Sequence, residues 1–328
     1  MFKKYFVIFI IFIVIISGCN KPESKETKSK VICIVDYCTD APTEYYNSNL
    51  SNLLKTFGLT ENKDFILKSY SAQNDMATLT TIIENAKKEK VDILVTFQSQ
   101  PLYASIRRAP ELKKVFSIIS NPFIVGAASS DSKHIKNLTG FYYTPDYDKL
   151  IEIAIECSPA IKRIGTVFFA GDDESKRLLD KFKEAAMKKG IQVVAKPYSS
   201  QTEIVLAVEA LSSEKTDALL INPNLYQDLV SPALSKAAKK MKIPIITTLL
   251  DKVDKGAATI GYGVNQKEAA RKFAEILARV IKGENPDSIP FVNGKILPYN
   301  LKINRAKALE AGMKLPETIL KKADKIYE

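Results

Sequence analysis

Side chains able to hydrogen-bond or carry charge collect in a few short tips of this chain. In the first half these are Asp36-Tyr37-Cys38-Thr39, Gln98-Ser99-Gln100 and Ser120-Asn121-Pro122. In the second they are Gly171-Asp172-Asp173-Glu174-Ser175, Asn222-Pro223-Asn224 and Thr248-Leu249-Leu250-Asp251. Pro101 reads as a first helical residue with Gln100 or Ser99 at the cap, so the Ser99 hydroxyl and the free N–H groups there would receive a carboxylate. An acid such as Asp172 or Asp251 would meet an ammonium group. Aromatic residues fall at strand ends or between the two halves: Tyr37, Phe97, Tyr142, Tyr143, Tyr226 and Tyr262, placed to wall a cleft. These groups grip a small charged molecule; they do not form a set that makes or breaks bonds. Ser99 lacks a G-x-S-x-G setting, and the only histidine, His134, lies in the polar stretch 129–137 and reads as a solvated loop residue. Asp172 and Asp173, adjacent at a helix start, point in different directions. No Cys/His spacing suggests a metal, and no cofactor is expected. Taken singly, each tip is an ordinary cap or turn, and only their convergence argues for a site. The predicted ligand-binding set is Tyr37, Gln98, Ser99, Gln100, Ser120, Asn121, Tyr142, Gly171, Asp172, Asp173, Asn222, Asn224, Thr248 and Asp251.

Convergence requires elements that bring the tips together, and the chain supplies them twice. Lys68-Ser69-Tyr70-Ser71-Ala72-Gln73 returns as Lys196-Pro197-Tyr198-Ser199-Ser200-Gln201, and Val91-Asp92-Ile93-Leu94-Val95 returns as Thr216-Asp217-Ala218-Leu219-Leu220. A period of about 128 residues is too long for a solenoid and predicts two similar lobes with a cleft between them. In the first lobe, apolar runs at 31–35, 65–70, 91–97 and 115–119 alternate with helical stretches such as Leu50, Leu53, Leu54 and Phe57 at i, i+3, i+4, i+7. The second repeats the pattern with strands at 164–169, 191–195, 218–221 and 243–247 and helices at 173–189, 202–211 and 226–240. Fully apolar strands separated by helices imply a parallel sheet covered on both faces, hence an α/β fold of two Rossmann-like lobes. Ligands of such sheets bind outside the carboxyl ends of the strands, which is where the polar tips fall.

The N-terminus reads as an address. Lys3 and Lys4 precede an apolar run at 5–16 and the small residues Ser17-Gly18 before Cys19, the pattern a lipoprotein signal peptidase cleaves. Cys19 is therefore expected to become the lipidated N-terminus, followed by a polar tether to residue 30. The formal charge of +11 is spread as lysines along helices and loops, with no arginine-rich cluster among aromatics, which argues against nucleic acid and fits a surface facing anionic lipid. Of the four cysteines, Cys33 and Cys157 read as buried thiols, and a Cys33–Cys38 bridge stays open.

Certain stretches carry a family resemblance. They are Val91-Asp92-Ile93-Leu94-Val95, Ser120-Asn121-Pro122 through Gly126, Asn137-Leu138-Thr139-Gly140, Lys162-Arg163-Ile164-Gly165, Lys242-Ile243-Pro244, Val253-Asp254-Lys255-Gly256-Ala257 and Leu320-Lys321-Lys322-Ala323-Asp324. On these, residues 31–328 resemble the ABC transporter substrate-binding lipoproteins of the branch that includes aromatic-amino-acid binders. The resemblance implies a periplasmic-binding-protein type 1-like fold with three crossovers, closing over a small molecule and delivering it to a permease and its ATPase. It carries Ser99 over as the hydroxyl after the third strand and Ser120-Asn121-Pro122 as a second ligand segment. The family's asparagine in the second-lobe segment is replaced here by Glu174. The expected organisation is a signal peptide at 1–18, the lipidated cysteine and tether at 19–30, lobe 1 at 31–142 plus about 264–286, lobe 2 at 143–263, and a segment at 287–328 packing across both lobes. The expected function is a monomeric, lipid-anchored solute-binding component of an importer, with an amino acid as ligand, an aromatic one included. An exported sensor presenting its closed form to a membrane receptor is the alternative, and catalysis the least favoured.

Overall fold

The computed structural model describes residues 29–224 and 226–328. Cys19, the apolar run before it and most of the tether lie outside them, and among the described residues no helix is long and apolar enough to cross a membrane. The strands are β1 (Lys30–Asp36), β2 (Phe65–Ser71), β3 (Ile93–Phe97), β4 (Lys113–Ser117), the short hairpin β5 (Ala128–Ser130) and β6 (Lys133–His134), and β7 (Leu138–Tyr142). After these come β8 (Arg163–Phe169), β9 (Gln192–Tyr198), β10 (Ala218–Ile221), β11 (Ile245–Thr247), β12 (Ile260–Val264), β13 (Val292–Asn293), β14 (Tyr299–Asn304) and β15 (Lys325–Tyr327). Helices α1 (Ala41–Thr56), α2 (Met76–Lys88), α3 (Ser99–Arg108), α4 (Tyr147–Cys157), α5 (Asp173–Lys188), α6 (Ile204–Ser212), α7 (Gln227–Met241), α8 (Leu250–Asp254) and α9 (Gln266–Ile281) connect them.

Two sheets result, in the orders β13-β7-β4-β3-β1-β2 and β15-β14-β12-β11-β10-β8-β9. The repeated hexapeptide falls on β2 and β9, the edge strands that pair in parallel with β1 and β8. Alternation along β1 shows why its run is apolar throughout. Ile32 and Ile34 pack with Tyr46 and Leu50 of α1 and Phe273 of α9, while Cys33 and Val35 pack with Leu79 and Ile83 of α2. Each such side chain contributes roughly 1.5–3 kcal/mol by leaving water, so a charge at any of them would unseat a helix. The second sheet is built alike: Ile164 and Leu220 face α4 and α5, and Val167 and Leu219 face α6 and α7.

The chain passes between lobes at residues 143–146, at Asn265 and at 294–298. In sequence the turn-rich stretch 283–290 reads as a third passage. That stretch instead stays on the first lobe, where Ile289 is buried and its carbonyl accepts the Thr139 hydroxyl at 2.9 Å. The segment 287–328 is divided between the two lobes. Its strand β13 pairs with β7, whereas β14 pairs antiparallel with β12 and carries β15, so that Leu301 and Ile303 are buried in the second lobe alone. His134 is not a solvated loop residue: its ring stacks on Phe291 at 4.7 Å between centroids. Cys33 is a free thiol, its pKa held up to about 12 chiefly by burial.

Candidate functional site

The carboxyl ends of β1, β3 and β4 face those of β8, β10 and β11 across a cavity of about 120 Å³. From the first lobe it is walled by Cys38, Asp40, Pro42, Gln98, Ser99, Gln100, Ile118, Ile119 and Ser120. The second lobe contributes Asp172, Glu174, Leu178, Pro223, Asn224, Gln227, Thr248 and Leu249, and the interlobe passages contribute Tyr143, Pro145, Val264 and Tyr299.

Gln98 organises the first wall. It precedes α3 at φ +75°, in a region costly for any residue but glycine, and gives no side-chain cap to the helix. Its amide instead reaches the tip of β1: Oε1 accepts Tyr37 N–H at 3.0 Å and Cys38 N–H at 3.1 Å, and Nε2 donates to Cys38 O at 2.9 Å. Helix α3 starts at Ser99, so Pro101 is the third helical residue rather than the first. Ile118, another wall residue, also holds positive φ, +56°, which a β-branched side chain rarely adopts. Strain at two wall positions marks this as a place where geometry is kept for a purpose.

The acids are arranged as caps and a bridge. Asp40 caps α1, accepting Thr43 N–H at 3.0 Å and Thr43 Oγ1 at 2.7 Å, and Asp172 caps α5, accepting Ser175 N–H at 3.0 Å. Burial pushes both carboxyls above the ordinary aspartate range; for Asp172 the neighbouring Glu174 adds to the effect. Glu174, in the first turn of α5, crosses to the other lobe. Its Oε2 accepts the Ser99 hydroxyl at 2.8 Å, and its Oε1 accepts Ser120 N–H at 3.2 Å and the Ser120 hydroxyl. Arg177, one turn on, donates from Nη2 to Ser120 Oγ at 2.6 Å and to Glu174 Oε1 at 3.4 Å. A second, longer tie joins Gln227 Nε2 to Asp40 Oδ2 at 3.4 Å. Thr248 Oγ1 is buried with no hydrogen-bond partner, and it lines the cavity. A polar atom left in this way costs about 1–3 kcal/mol, which a ligand atom would remove.

The structure thus brings Gln98, Ser99, Gln100, Ser120, Asp172, Asn224 and Thr248 of the predicted set onto one cavity. It places the others elsewhere. Tyr37 lies behind the wall with its hydroxyl on Asn74 O at 2.8 Å, and Asn121 caps the short turn 122–125 by accepting Phe123 N–H at 2.9 Å. Tyr142 turns away to Asp131 and Asn293, and Gly171 lies against the Phe169 ring. Asp173 is almost fully exposed and pairs with Lys176. Asn222 accepts the Tyr147 hydroxyl beneath the cavity floor, and Asp251 is held by the fully buried Lys252. Of the aromatic residues singled out, Tyr143 walls the cavity, whereas Phe97 is core, Tyr226 meets the Phe169 ring edge-on and Tyr262 stacks on Tyr299. Asp40, Glu174, Gln227 and Tyr299 were not foreseen. Asp40 announces itself as an acid before Ala41-Pro42 at a helix start, and Glu174 lies inside a segment already singled out. Tyr299 was hidden by the misplaced third passage.

The family model described as ABC transporter substrate binding protein matches residues 33–327. The chain belongs to that family. This substrate-binding protein is 25% identical over 288 residues to the tyrosine-binding protein of Clostridioides difficile strain R20291, spanning 84% of this chain and 82% of that protein. Its fold matches that of the ABC domain in complex with L-Trp from Streptococcus pneumonia with a TM-score of 0.83, at 20% identity, over 91% of this chain and 99% of that one. The ligand-free, open structure of CD0873, a substrate-binding protein with adhesive properties from Clostridium difficile, matches at a TM-score of 0.70 and 23% identity, over 91% and 99%. The fold is the two-lobed α/β fold of these binding proteins, and the family is one of binders rather than enzymes. Among the described residues no cluster of His, Cys, Asp and Glu could hold a metal ion.

Proposed function

We propose that this protein is the solute receptor of an ABC importer, anchored to a bacterial membrane by a lipid on Cys19, which captures a small amine-bearing molecule of the amino-acid class by closure of its lobes. The observation that carries this reading is the reach of Glu174 from the second lobe onto Ser99 and Ser120 of the first, beside a cavity walled by both. A ligand held there touches two bodies connected along the chain by three short passages, and so biases the equilibrium between open and closed forms. The names of the relatives make tyrosine and tryptophan the ligands to try first, and Tyr143 and Tyr299 give the cavity aromatic walls. Micromolar affinity, about −8 kcal/mol, suffices for capture and still permits release to a permease. The N-terminal pattern ending at Cys19 supports export and anchoring.

The test is mass spectrometry of the small molecules released on denaturing protein expressed from Asn20 onward, followed by small-angle scattering with and without the compound found. Recovery of an amine-bearing metabolite and a smaller radius of gyration in its presence are expected. A sugar or nucleoside as the retained compound, or an unchanged radius with a bound ligand, refutes the reading.

A further inference from the structure

The seat that the sequence offered to a ligand carboxylate is already filled. Ser99, at the start of α3, and Ser120 both direct their hydroxyls at the Glu174 carboxylate, and the Ser120 N–H joins them. The positive end of a ten-residue helix thereby faces a carboxylate of the protein itself. Among the described residues, Arg177 is the only cation bonded to this group. It does not line the cavity, so its charge balances Glu174 and is not presented to a ligand there. What the cavity does present, besides Glu174, is Asp40 and Asp172, each held by a helix N-terminus and each with its charged form disfavoured by burial.

We propose that Glu174 sets the charge of the ligand by standing where a ligand carboxylate would dock, so that this cavity takes an amine whose carboxyl group is absent or neutralised in preference to the corresponding zwitterionic amino acid. The inference deepens the capture of amine-bearing molecules and rests on it. A zwitterion entering this cavity must bring its carboxylate next to Glu174 or displace Glu174 from two hydroxyls and an N–H. Two like charges a few ångströms apart in a site shielded from water repel by several times what they would in bulk solvent. An ammonium group without a carboxylate meets the opposite situation: it offers a counter-charge to Asp40 or Asp172, whose charged forms burial disfavours, and leaves the Glu174 bridge, and with it the closed form, intact. Glu174 is then a specificity-determining residue as well as a tie between the lobes.

Titration calorimetry on ligand-stripped wild-type protein tests this with matched probes: L-tyrosine, L-tyrosinamide and tyramine, then L-tryptophan and tryptamine. The expected result is at least tenfold tighter binding of the amide or amine than of its amino acid, with that ratio falling at least tenfold in Glu174→Gln, which keeps the shape and removes the charge. Tighter or equal binding of the amino acid by wild-type protein overturns the inference and leaves the capture of amino acids standing. A wild-type preference for the amine that survives in Glu174→Gln overturns the role of Glu174. Failure of every probe to bind, while another class of compound is recovered from the protein, overturns the functional reading and the inference with it. The wild-type comparison needs no variant, so a poorly folded Glu174→Gln cannot shelter the proposal.

Discussion

Replacing Gln98 by alanine separates two effects that this residue combines. The side chain makes three hydrogen bonds to the backbone of Tyr37 and Cys38, all at 2.9–3.1 Å and partly buried. At about 1 kcal/mol net for each, and somewhat more where the abandoned backbone group stays out of water, Gln98→Ala should cost about 2–4 kcal/mol. Glycine loses the same bonds but occupies φ +75° freely, whereas alanine does not. Gln98→Gly should therefore be the more stable of the two variants by about 1–2 kcal/mol, against the ordinary expectation that glycine is the worse replacement. Urea unfolding followed by far-ultraviolet circular dichroism and tyrosine emission, in a chain with 14 tyrosines and no tryptophan, measures both values. The same loss frees the segment that leads to Asp40, so ligand affinity should fall together with stability. Gln98→Ala within about 0.5 kcal/mol of wild type, or Gln98→Gly less stable than Gln98→Ala, would show that the clasp and the strain argued here do not govern this corner of the cavity.

Further outcomes are expected. Asp172→Asn keeps a good cap on α5 and should shift the melting temperature little, yet weaken binding of an amine ligand about tenfold by calorimetry; Asp172→Ala should lose about 1 kcal/mol of stability as well. Burial raises the Asp40 and Asp172 carboxyls, so the ligand-free protein binds their protons more readily than the unfolded chain does. Their contribution to stability is therefore present in acid and lost as pH rises through the raised values, and an incoming ammonium drives proton release. Affinity for an amine should accordingly strengthen as pH rises through those raised values, and calorimetry in buffers of different ionisation enthalpy reads the released proton. Gly263→Ala would push a Cβ into the carbonyl oxygen of Thr248 and should lower both affinity and the melting temperature. Cys19→Ala should leave the protein unlipidated, released or stalled as precursor; membrane retention at mature length would refute the anchor.

How far the sequence could be read depended on what each feature is made of. The parallel sheets were legible because their central strands are covered on both faces, so each of these appears as a continuous apolar run with a helix behind it, as at Ile32 to Val35 or Ala218 to Ile221. Gln98, Ser99, Ser120 and Asn224 followed, since a strand end in such a sheet has one place to be. The third passage was misread because 283–290 is rich in turn-forming residues yet is fixed to the first lobe by a buried isoleucine and one hydroxyl, contacts that no local pattern announces. Side-chain direction was the other loss. Asp173 and Glu174 are neighbours in sequence, but a step of one residue around α5 turns the first to solvent and the second across the cavity. Asp251 has the right position and charge, and only the fully buried Lys252 beside it shows why that charge is already matched.

Helix α9 belongs to the first lobe but is encoded after the whole of the parallel core of the second. Phe273 packs against Tyr46 and Phe97 at 5.5 Å, and Ile276, Leu277 and Ile281 complete the same face. A ribosome or a translocation channel delivering this chain from its N-terminus thus releases α1 and β1 to β7 long before their cover exists. The first lobe stays an open-faced, incomplete body until residue 281 has emerged, and β13 closes its edge later still. The order of the segments along the chain therefore delays the completed fold until nearly all of the polypeptide has been delivered, and an N-terminal fragment ending at Tyr142 should remain unfolded.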